Sequence, residues 1–147
     1  MSLRDGTKKM SKSDPSDASR INLTDDADTI AKKIRKARTD QDPIPSEPEG
    51  LEGRPEVRNL VSIYSAFSGQ SEAEVLTEHA GQGFGTFKPA LAELVVEKLA
   101  PVTQLMNRYL GDPEEIDRIL AKGADRARKL SQPVMAEVRE TIGFWRR

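Results

Sequence analysis

The chain has 147 residues, of which 36% are hydrophobic and 32% are charged, and its formal net charge is -1. It holds no cysteine and a single histidine, which excludes disulfides, zinc–thiolate sites and histidine-based metal clusters. No apolar run is long enough to span a bilayer and the start has no signal-peptide pattern, so we expect a soluble cytoplasmic protein.

The first half of the chain is predicted to alternate between loops and helices. Residues 1–24 form a loop-rich segment, since Gly6, Pro15 and several serines interrupt any periodic pattern. A helix is predicted at about 25–38, with aspartates at its start and cations at its end. Residues 39–54 contain three prolines, two glycines and an acidic excess, which predicts an exposed connection.

Apolar residues return at helical spacing after this connection. They predict helices at about 55–68, 71–79, 86–110 and 112–130. Residues 81–85 (GQGFG) are interpreted as a structural turn, because no strand precedes them as a phosphate-binding loop requires. Pro133 is predicted to break the chain before a last helix that ends at about Ile142. We find no convincing strand, so the predicted fold class is all-α, a helical bundle.

Residues 9–13, which read KMSKS, carry the clearest chemistry. Lys9 and Lys12 lie three residues apart on a serine-rich loop, so both ammonium groups can close on one polyphosphate. Ser11 and Ser13 can add hydroxyl donors. Such a loop stabilises the charge that develops on a leaving pyrophosphate if it closes in the transition state. Taken alone, five residues fit an ordinary basic loop equally well.

The surrounding sequence extends this motif into a resemblance. Residues 8–15 (KKMSKSDP) resemble the second signature of class I aminoacyl-tRNA synthetases. Residues 1–7 (MSLRDGT), 21–23 (INL), 59–69 (NLVSIYSAFSG) and 83–88 (GFGTFK) resemble bacterial tryptophanyl-tRNA synthetases, so the resemblance covers nearly the whole chain. Met10 also favours the tryptophanyl branch over its tyrosyl relatives.

This resemblance implies an enzyme that forms tryptophanyl-adenylate from tryptophan and Mg·ATP and then transfers the acyl group to tRNA(Trp). Lys9 and Lys12 would be the catalytic lysines that contact the ATP phosphates. The ATP-binding set implied by the family is Lys9, Met10, Ser11, Lys12 and Ser13, in which Met10 packs the loop. No metal ligand is implied in this segment. The family's C-terminal helices recognise the anticodon, and its full-length members are homodimers.

The chain differs from the family in extent. The first signature, HIGH or a near form, is absent, and the eight residues before Lys9 are too few for a nucleotide-binding α/β domain or a tryptophan pocket. We therefore expect a C-terminal fragment in which residues 1–24 are the KMSKS segment of the catalytic domain and residues 25–147 are the helical tRNA-binding region. Two alternatives remain open: a stand-alone helical RNA-binding or regulatory module related to the synthetases, and a helical interaction protein without a nucleic-acid role.

Basic residues near the C-terminus are the candidate tRNA contact, since residues 118–147 hold 8 lysines and arginines against 3 acidic residues. Four cations follow at spacings of four, four and three residues: Arg118, Lys122, Arg126 and Lys129. Four apolar residues are expected on the buried side of the same helix: Ile119, Leu120, Ala127 and Leu130. A solvated charged face is the competing interpretation. Trp145 is expected to pack on a neighbouring helix or to stack on a base.

Overall fold

A computed structural model describes residues 1–143. It contains five α-helices: α1 (Ala27–Arg35), α2 (Pro55–Ser68), α3 (Glu72–His79), α4 (Phe84–Gly111) and α5 (Pro113–Ile142). Short 3-10 turns at Asp17–Ser19 and Pro48–Leu51 precede α1 and α2. Extended pairing within these residues is limited to one isolated bridge between Ser2 and Asp5, so the predicted all-α fold class is confirmed. None of the described helices is both long and apolar enough to cross a membrane.

Local sequence sets where the helices begin. The carboxylate of Asp26 accepts a hydrogen bond from the backbone N–H of Thr29 and caps α1. Ser71 and Glu74 form a reciprocal capping box at the start of α3. Asp112 caps α5 in the same way as Asp26 caps α1. Because these caps can be recognised in the sequence, the predicted starts lie within two residues of the observed ones.

The predicted break at Pro133 is wrong. Helix α5 continues through this proline, and α4 continues through Pro89 and Pro101. An interior proline costs a helix ~3 kcal/mol through a lost hydrogen bond and a clash with the preceding turn. The cost is local to one turn, and α5 has helical residues on both sides of Pro133, so the proline interrupts the hydrogen-bond ladder without ending the helix. Gly143, with a left-handed φ of 72°, follows α5 and donates its N–H to the carbonyls of the last turn.

The hydrophobic core lies in the first of two compact units, Met1–Met106; the second unit begins at Asn107. The core draws on α1 to α4 and on the segments that precede α1 and α2. Its buried members are Leu3, Ile30, Ile34, Ala37, Ile44, Leu51, Val57, Leu60, Val61, Val75, Leu76, Phe87, Leu91, Ala92 and Val95. This division describes compactness and does not test the predicted functional boundary between residues 1–24 and 25–147, which stays a prediction.

The acidic connection at 39–54 is less exposed than the sequence predicts. Ile44 is 1% exposed and Leu51 is 2% exposed, so both side chains belong to the core. The N–H of Ile44 donates to the carbonyl of Gln82 and the N–H of Gly81 donates to the carbonyl of Ile44, each at 2.9 Å. The turn between α3 and α4 is therefore joined to the connection by backbone hydrogen bonds, in agreement with its interpretation as structural.

Arg54 organises the same connection. Its guanidinium donates to both carboxylate oxygens of Asp40, at 2.7 and 2.8 Å. It also donates to the carbonyls of Pro43 at 3.0 Å and Asp42 at 2.8 Å. The hydrogen bonds that Arg54 donates to the carboxylate lower the pKa of Asp40 and outweigh the opposing effect of burial. The acidic excess of this segment is thus partly used to bind one arginine.

The predicted buried side of α5 is also wrong. Ile119, Leu120 and Leu130 are 51%, 63% and 70% exposed, and Ala127 is exposed as well. No residue of Pro113–Ile142 is buried. A helix buries an apolar stripe only against another element, and the described part of the second unit holds the last turn of α4 and α5 alone.

Gly6 packs so closely on the start of α2 that a larger residue clashes. A Cβ atom there would lie 2.4 Å from the carbonyl carbon of Pro55 and 2.5 Å from the backbone nitrogen of Glu56. We expect Gly6→Ala to lower the free energy of unfolding by about 1–3 kcal/mol, because backbone atoms cannot rotate away. Gly123→Ala on α5 is the control, since nothing lies within 4 Å of its added methyl.

The control is expected to be neutral or stabilising by up to about 1 kcal/mol, because alanine favours a helix interior. Urea unfolding followed by circular dichroism measures both variants. A Gly6→Ala protein as stable as the parent would show that this close approach does not constrain the loop.

Candidate functional site

The loop that contains residues 9–13 is closed at its base by hydrogen bonds between its two ends. The N–H of Leu3, a core residue, donates to the carbonyl of Ser19 at 2.9 Å. Nearer to the motif, the guanidinium of Arg4 donates to the hydroxyl of Ser16 at 3.0 Å. The loop therefore projects from a base that is held by the core of the first unit.

A turn around Ser11 shapes the loop itself. The backbone N–H of Ser13 donates to Oγ of Ser11 at 3.2 Å, and the N–H of Asp14 donates to the carbonyl of Ser11 at 3.2 Å. Oγ of Ser11 acts as an acceptor here, so its own O–H remains available to a ligand. The side chains of all five residues 9–13 are exposed.

An open depression of about 500 Å³ lies beside the loop. It is lined by Ser2, Arg4, Asp5, Lys8, Lys9, Ser11, Ser13, Asp14, Pro15 and Ser16. The structure thus brings Lys9 together with the hydroxyls of Ser11 and Ser13, as the motif predicts. It also adds Arg4 and Lys8, which sequence spacing does not assign to the site because their place depends on how the loop is closed.

Lys12 and Met10 lie elsewhere on the loop. Lys12 is exposed but does not line the depression, so the two lysines of the motif do not share one wall in this structure. Met10 lines a separate apolar groove of about 310 Å³, to which Phe67 and Leu99 also contribute. Of the two lysines of the motif, the depression therefore presents Lys9.

The charge in the depression is mixed. Hydrogen bonds from the side chain and backbone of Thr7, followed by the interaction with Lys8, lower the pKa of Asp5, so this carboxyl is ionised at neutral pH. Its carboxylate lies 3.3 Å from the ammonium of Lys8. Three cations and two carboxylates line the depression, which leaves one net positive charge. Lys9 is the lysine of the motif that contributes to this excess.

A buried lysine lies behind the loop. Lys33 of α1 is 6% exposed, and its ammonium lies 2.6 Å from a carboxylate oxygen of Asp17 and 2.6 Å from one of Asp25. Burial alone would lower the pKa of Lys33, but the hydrogen bonds that its ammonium donates to the carboxylates of Asp17 and Asp25 outweigh burial and raise it. The signal in the sequence is its position on the apolar stripe of α1, three residues after Ile30 and next to Ile34.

The four candidate tRNA-binding cations of α5, Arg118, Lys122, Arg126 and Lys129, are all exposed. A shallow depression of about 650 Å³ is lined by Lys122, Asp125, Arg126, Lys129 and Leu130. Arg118 lies outside it and donates to the carbonyl of Glu114 at 3.3 Å. Since the carboxylate of Asp125 pairs with Arg128 at 2.8 Å, the three cations of the depression keep a surplus of positive charge.

Two remaining predictions concern metals and Trp145. Within residues 1–143 there is no group of three or more histidine, aspartate and glutamate side chains placed to hold a metal ion. Trp145, predicted to pack or to stack on a base, lies outside the described residues.

Comparison with known proteins supplies the family. Residues 1–100 match the family described as class I tRNA synthetases (W and Y). The chain is 61% identical to the tryptophan–tRNA ligase of Caulobacter vibrioides over 145 residues, which are 99% of this chain and 42% of that protein. It is 64% identical to the ligase of Rhizobium meliloti over 144 residues, with coverages of 98% and 41%. The chain therefore spans about two fifths of the length of these relatives.

The fold agrees with the sequence comparison. The crystal structure of tryptophanyl-tRNA synthetase from Mycoplasma pneumoniae is 28% identical and superimposes with a TM-score of 0.69, covering 99% of this chain and 45% of that chain. The matched family region includes residues 9–13 and helices α1 to α3. The chain belongs to the class I tRNA synthetases of the tryptophan and tyrosine group, with tryptophan–tRNA ligases among its relatives.

Proposed function

We propose that the chain is part of a tryptophan–tRNA ligase and supplies the ATP-phosphate loop and the tRNA-binding helices for ATP-dependent tryptophanylation of tRNA(Trp). The observation that carries this proposal is the 61% and 64% identity to tryptophan–tRNA ligases over nearly the whole chain. The exposed KMSKS loop, whose base is bonded to the core, supports it. A loop that closes on phosphate has to change conformation while its two ends stay in position.

The loop chemistry suits the first half-reaction, in which the carboxylate of tryptophan attacks the α-phosphorus of ATP and pyrophosphate leaves. Lys9 and the hydroxyls of Ser11 and Ser13 line one depression, so they can bind phosphate oxygens before the reaction. Lys12 has to approach from outside. Its contact with the pyrophosphate would therefore strengthen as the loop closes, which is what accelerates a reaction rather than merely binding its substrate.

The lining of the depression fits a triphosphate better than a bare metal ion. Its cations outnumber its carboxylates, and one of the two carboxylates, Asp5, is already engaged by Lys8. Mg²⁺ would arrive bound to ATP, where it neutralises part of the phosphate charge. Arg4, Lys8 and Lys9 then bind the phosphate oxygens that remain exposed.

A stand-alone RNA-binding or regulatory module is the second candidate. The observation that favours it is the shallow depression on α5, where three cations surround one carboxylate that is already paired. Such a face binds phosphate backbones without any need for catalysis. The KMSKS loop discriminates between the two candidates, because a binding module has no use for two lysines that close on ATP.

A chimeric ligase tests the proposed function. In it, residues 1–147 replace the matching segment of the Rhizobium meliloti relative. We expect the chimera to restore tryptophan-dependent exchange of pyrophosphate into ATP and charging of tRNA(Trp). The parent enzyme without this segment is the negative control, and the isolated 147-residue chain is expected to show no exchange above a no-enzyme background.

Two outcomes would contradict the proposal. Exchange by the isolated chain would show that it holds a complete activating site of its own. A folded chimera that binds tRNA but neither exchanges pyrophosphate nor charges tRNA would favour the stand-alone binding module.

A further inference from the structure

We propose that Lys33 is a positioning residue for the KMSKS loop, holding Asp17, and through Asp17 the guanidinium of Arg20, where the loop rejoins the helical core. This inference rests on the proposed function, because it concerns how the same loop is held for reaction with ATP. Nothing in the KMSKS motif points to Lys33, which lies 21 residues after Lys12.

The first link is the buried ammonium itself. Its side chain is 7% exposed, and it lies 2.6 Å from carboxylates on both sides. Asp25 stands just before α1, and its side chain is 9% exposed. Asp17 stands in the 3-10 turn after the loop, and its side chain is 57% exposed. The ammonium of Lys33 thus joins the residue just before α1 to the 3-10 turn that follows the loop.

The second link leads from Asp17 towards the motif. The carboxylate of Asp17 lies 3.4 Å from the guanidinium of Arg20 and accepts a hydrogen bond from the side chain of Asn22 at 2.8 Å. The same guanidinium donates to the carbonyl of Asp14 at 3.0 Å. Asp14 directly follows Ser13, the last residue of the motif. The path from Lys33 to the loop therefore runs through two side chains and ends on backbone.

Stability alone gives a weak reason for this arrangement. Lys33 occupies a position of the apolar stripe of α1, between Ile30 and Ile34, where a hydrophobic side chain would fit the pattern. Replacing a buried ion pair with well-packed apolar residues is often neutral or stabilising, so such pairs are weak evidence for a role in stability. The alternative is a role in positioning. The ion pair with Lys33 fixes the position of the Asp17 carboxylate, which an apolar side chain at residue 33 could not do.

Lys33→Met in the chimeric ligase is the central test. We expect adenylate formation, measured in a single turnover, to slow by at least about tenfold, since misplacing a reacting group by about 1 Å costs up to about 100-fold. Transfer of tryptophan from preformed adenylate to tRNA is expected to be unchanged, because it needs no ATP phosphate contact. Lys32→Met removes a neighbouring exposed lysine of the same helix and is the control, with both steps expected to be unchanged.

Asp17→Asn is the second variant, which keeps the test decisive if Lys33→Met fails to fold. It removes the charge on the loop side alone and leaves the pair between Lys33 and Asp25 intact. We expect the same selective loss of adenylate formation. Equal slowing of both steps by a folded Lys33→Met or Asp17→Asn enzyme would overturn the inference, because a general structural defect affects both.

Combination with Lys12→Ala separates this inference from the proposed function. If Lys33 acts by positioning the loop, the slowing caused by Lys33→Met should be smaller in the Lys12→Ala enzyme than in the parent, because one of the positioned groups is already gone, whereas independent effects would multiply. If Lys12→Ala alone leaves adenylate formation unchanged, the assignment of the loop is wrong. If Lys12→Ala slows the reaction but Lys33→Met and Asp17→Asn do not, the positioning role of Lys33 alone is wrong.

Discussion

Alanine at Lys9 or at Lys12 in the chimeric ligase is expected to slow adenylate formation by about 100-fold or more while leaving tryptophan affinity nearly unchanged. The reason is that negative charge builds up on the leaving pyrophosphate, and a preorganised ammonium stabilises that charge more than it stabilises ground-state ATP. Under the proposed function tryptophan binds outside this loop, so tryptophan affinity serves as an internal measure of folding.

The geometry further predicts that the two lysines differ. Lys9 lines the depression beside the loop and should contact ATP before the reaction, so Lys9→Ala is also expected to weaken ATP binding. Lys12 lies outside the depression and contacts phosphate only after closure, so Lys12→Ala should lower the rate with little change in ATP affinity. Lys36→Ala, an exposed lysine just after α1, is the matched control.

Pre-steady-state kinetics over a range of ATP concentrations separate the rate from the affinity. Unchanged activation rates in both lysine variants would remove the loop from the reaction. Equal losses of ATP affinity in both would show that the loop is already closed on ATP in the ground state, contrary to the separation seen between Lys9 and Lys12.

Helix positions could be predicted from sequence because the signals are local. Caps such as Asp26, Ser71 and Asp112 satisfy N–H groups within three residues along the chain. The local signal of Pro133 is misleading, because a proline has the same local cost whether it ends a helix or lies inside a long one such as α5. Ile44, in a segment rich in proline and acidic residues, reaches the core through contacts distant in sequence, and no local pattern reports such contacts.

The candidate site can be proposed from sequence only in part, for the same reason. The motif names Lys9 and Lys12 from their spacing of three residues, and the structure places Lys9, but not Lys12, at the depression. Arg4 joins the depression only because its guanidinium reaches Ser16 across the base of the loop. The pairing of Lys33 with Asp17 spans 16 residues, so the sequence could at most mark a lysine on an apolar stripe as needing a partner.

Reversal of three cations on α5 is the other change expected to have a large effect. Arg118, Lys122 and Arg126 are exposed on one continuous helix, and we expect their joint replacement by glutamate to weaken binding of tRNA(Trp). Each lysine or arginine that contacts phosphate releases counterions, and each such contact adds about 0.7–0.9 to the slope of log binding constant against log salt concentration. Losing three contacts should therefore reduce the log–log salt slope by about 2–3.

The fold should survive this change. None of the three side chains is buried, so their replacement removes no core packing. The three cations are already like-charged neighbours at a spacing of four residues, so replacing all of them by glutamate adds no like-charge pair among the three positions. A control with the same change in net charge is available in Lys36→Glu, Arg58→Glu and Lys98→Glu, which reverses three exposed cations of the first unit.

Titration of labelled tRNA(Trp) at two salt concentrations measures affinity and slope together, with circular dichroism as the check on helical content. We expect the α5 variant to lose both affinity and slope, and the control to lose less of each, because a change in net charge alone acts only through the long-range field. Equal losses in the two variants would assign the effect to net charge rather than to this face. If the α5 variant stays helical and binds tRNA with the parent's affinity and slope, the face is solvated surface and the tRNA contact lies on another part of the chain.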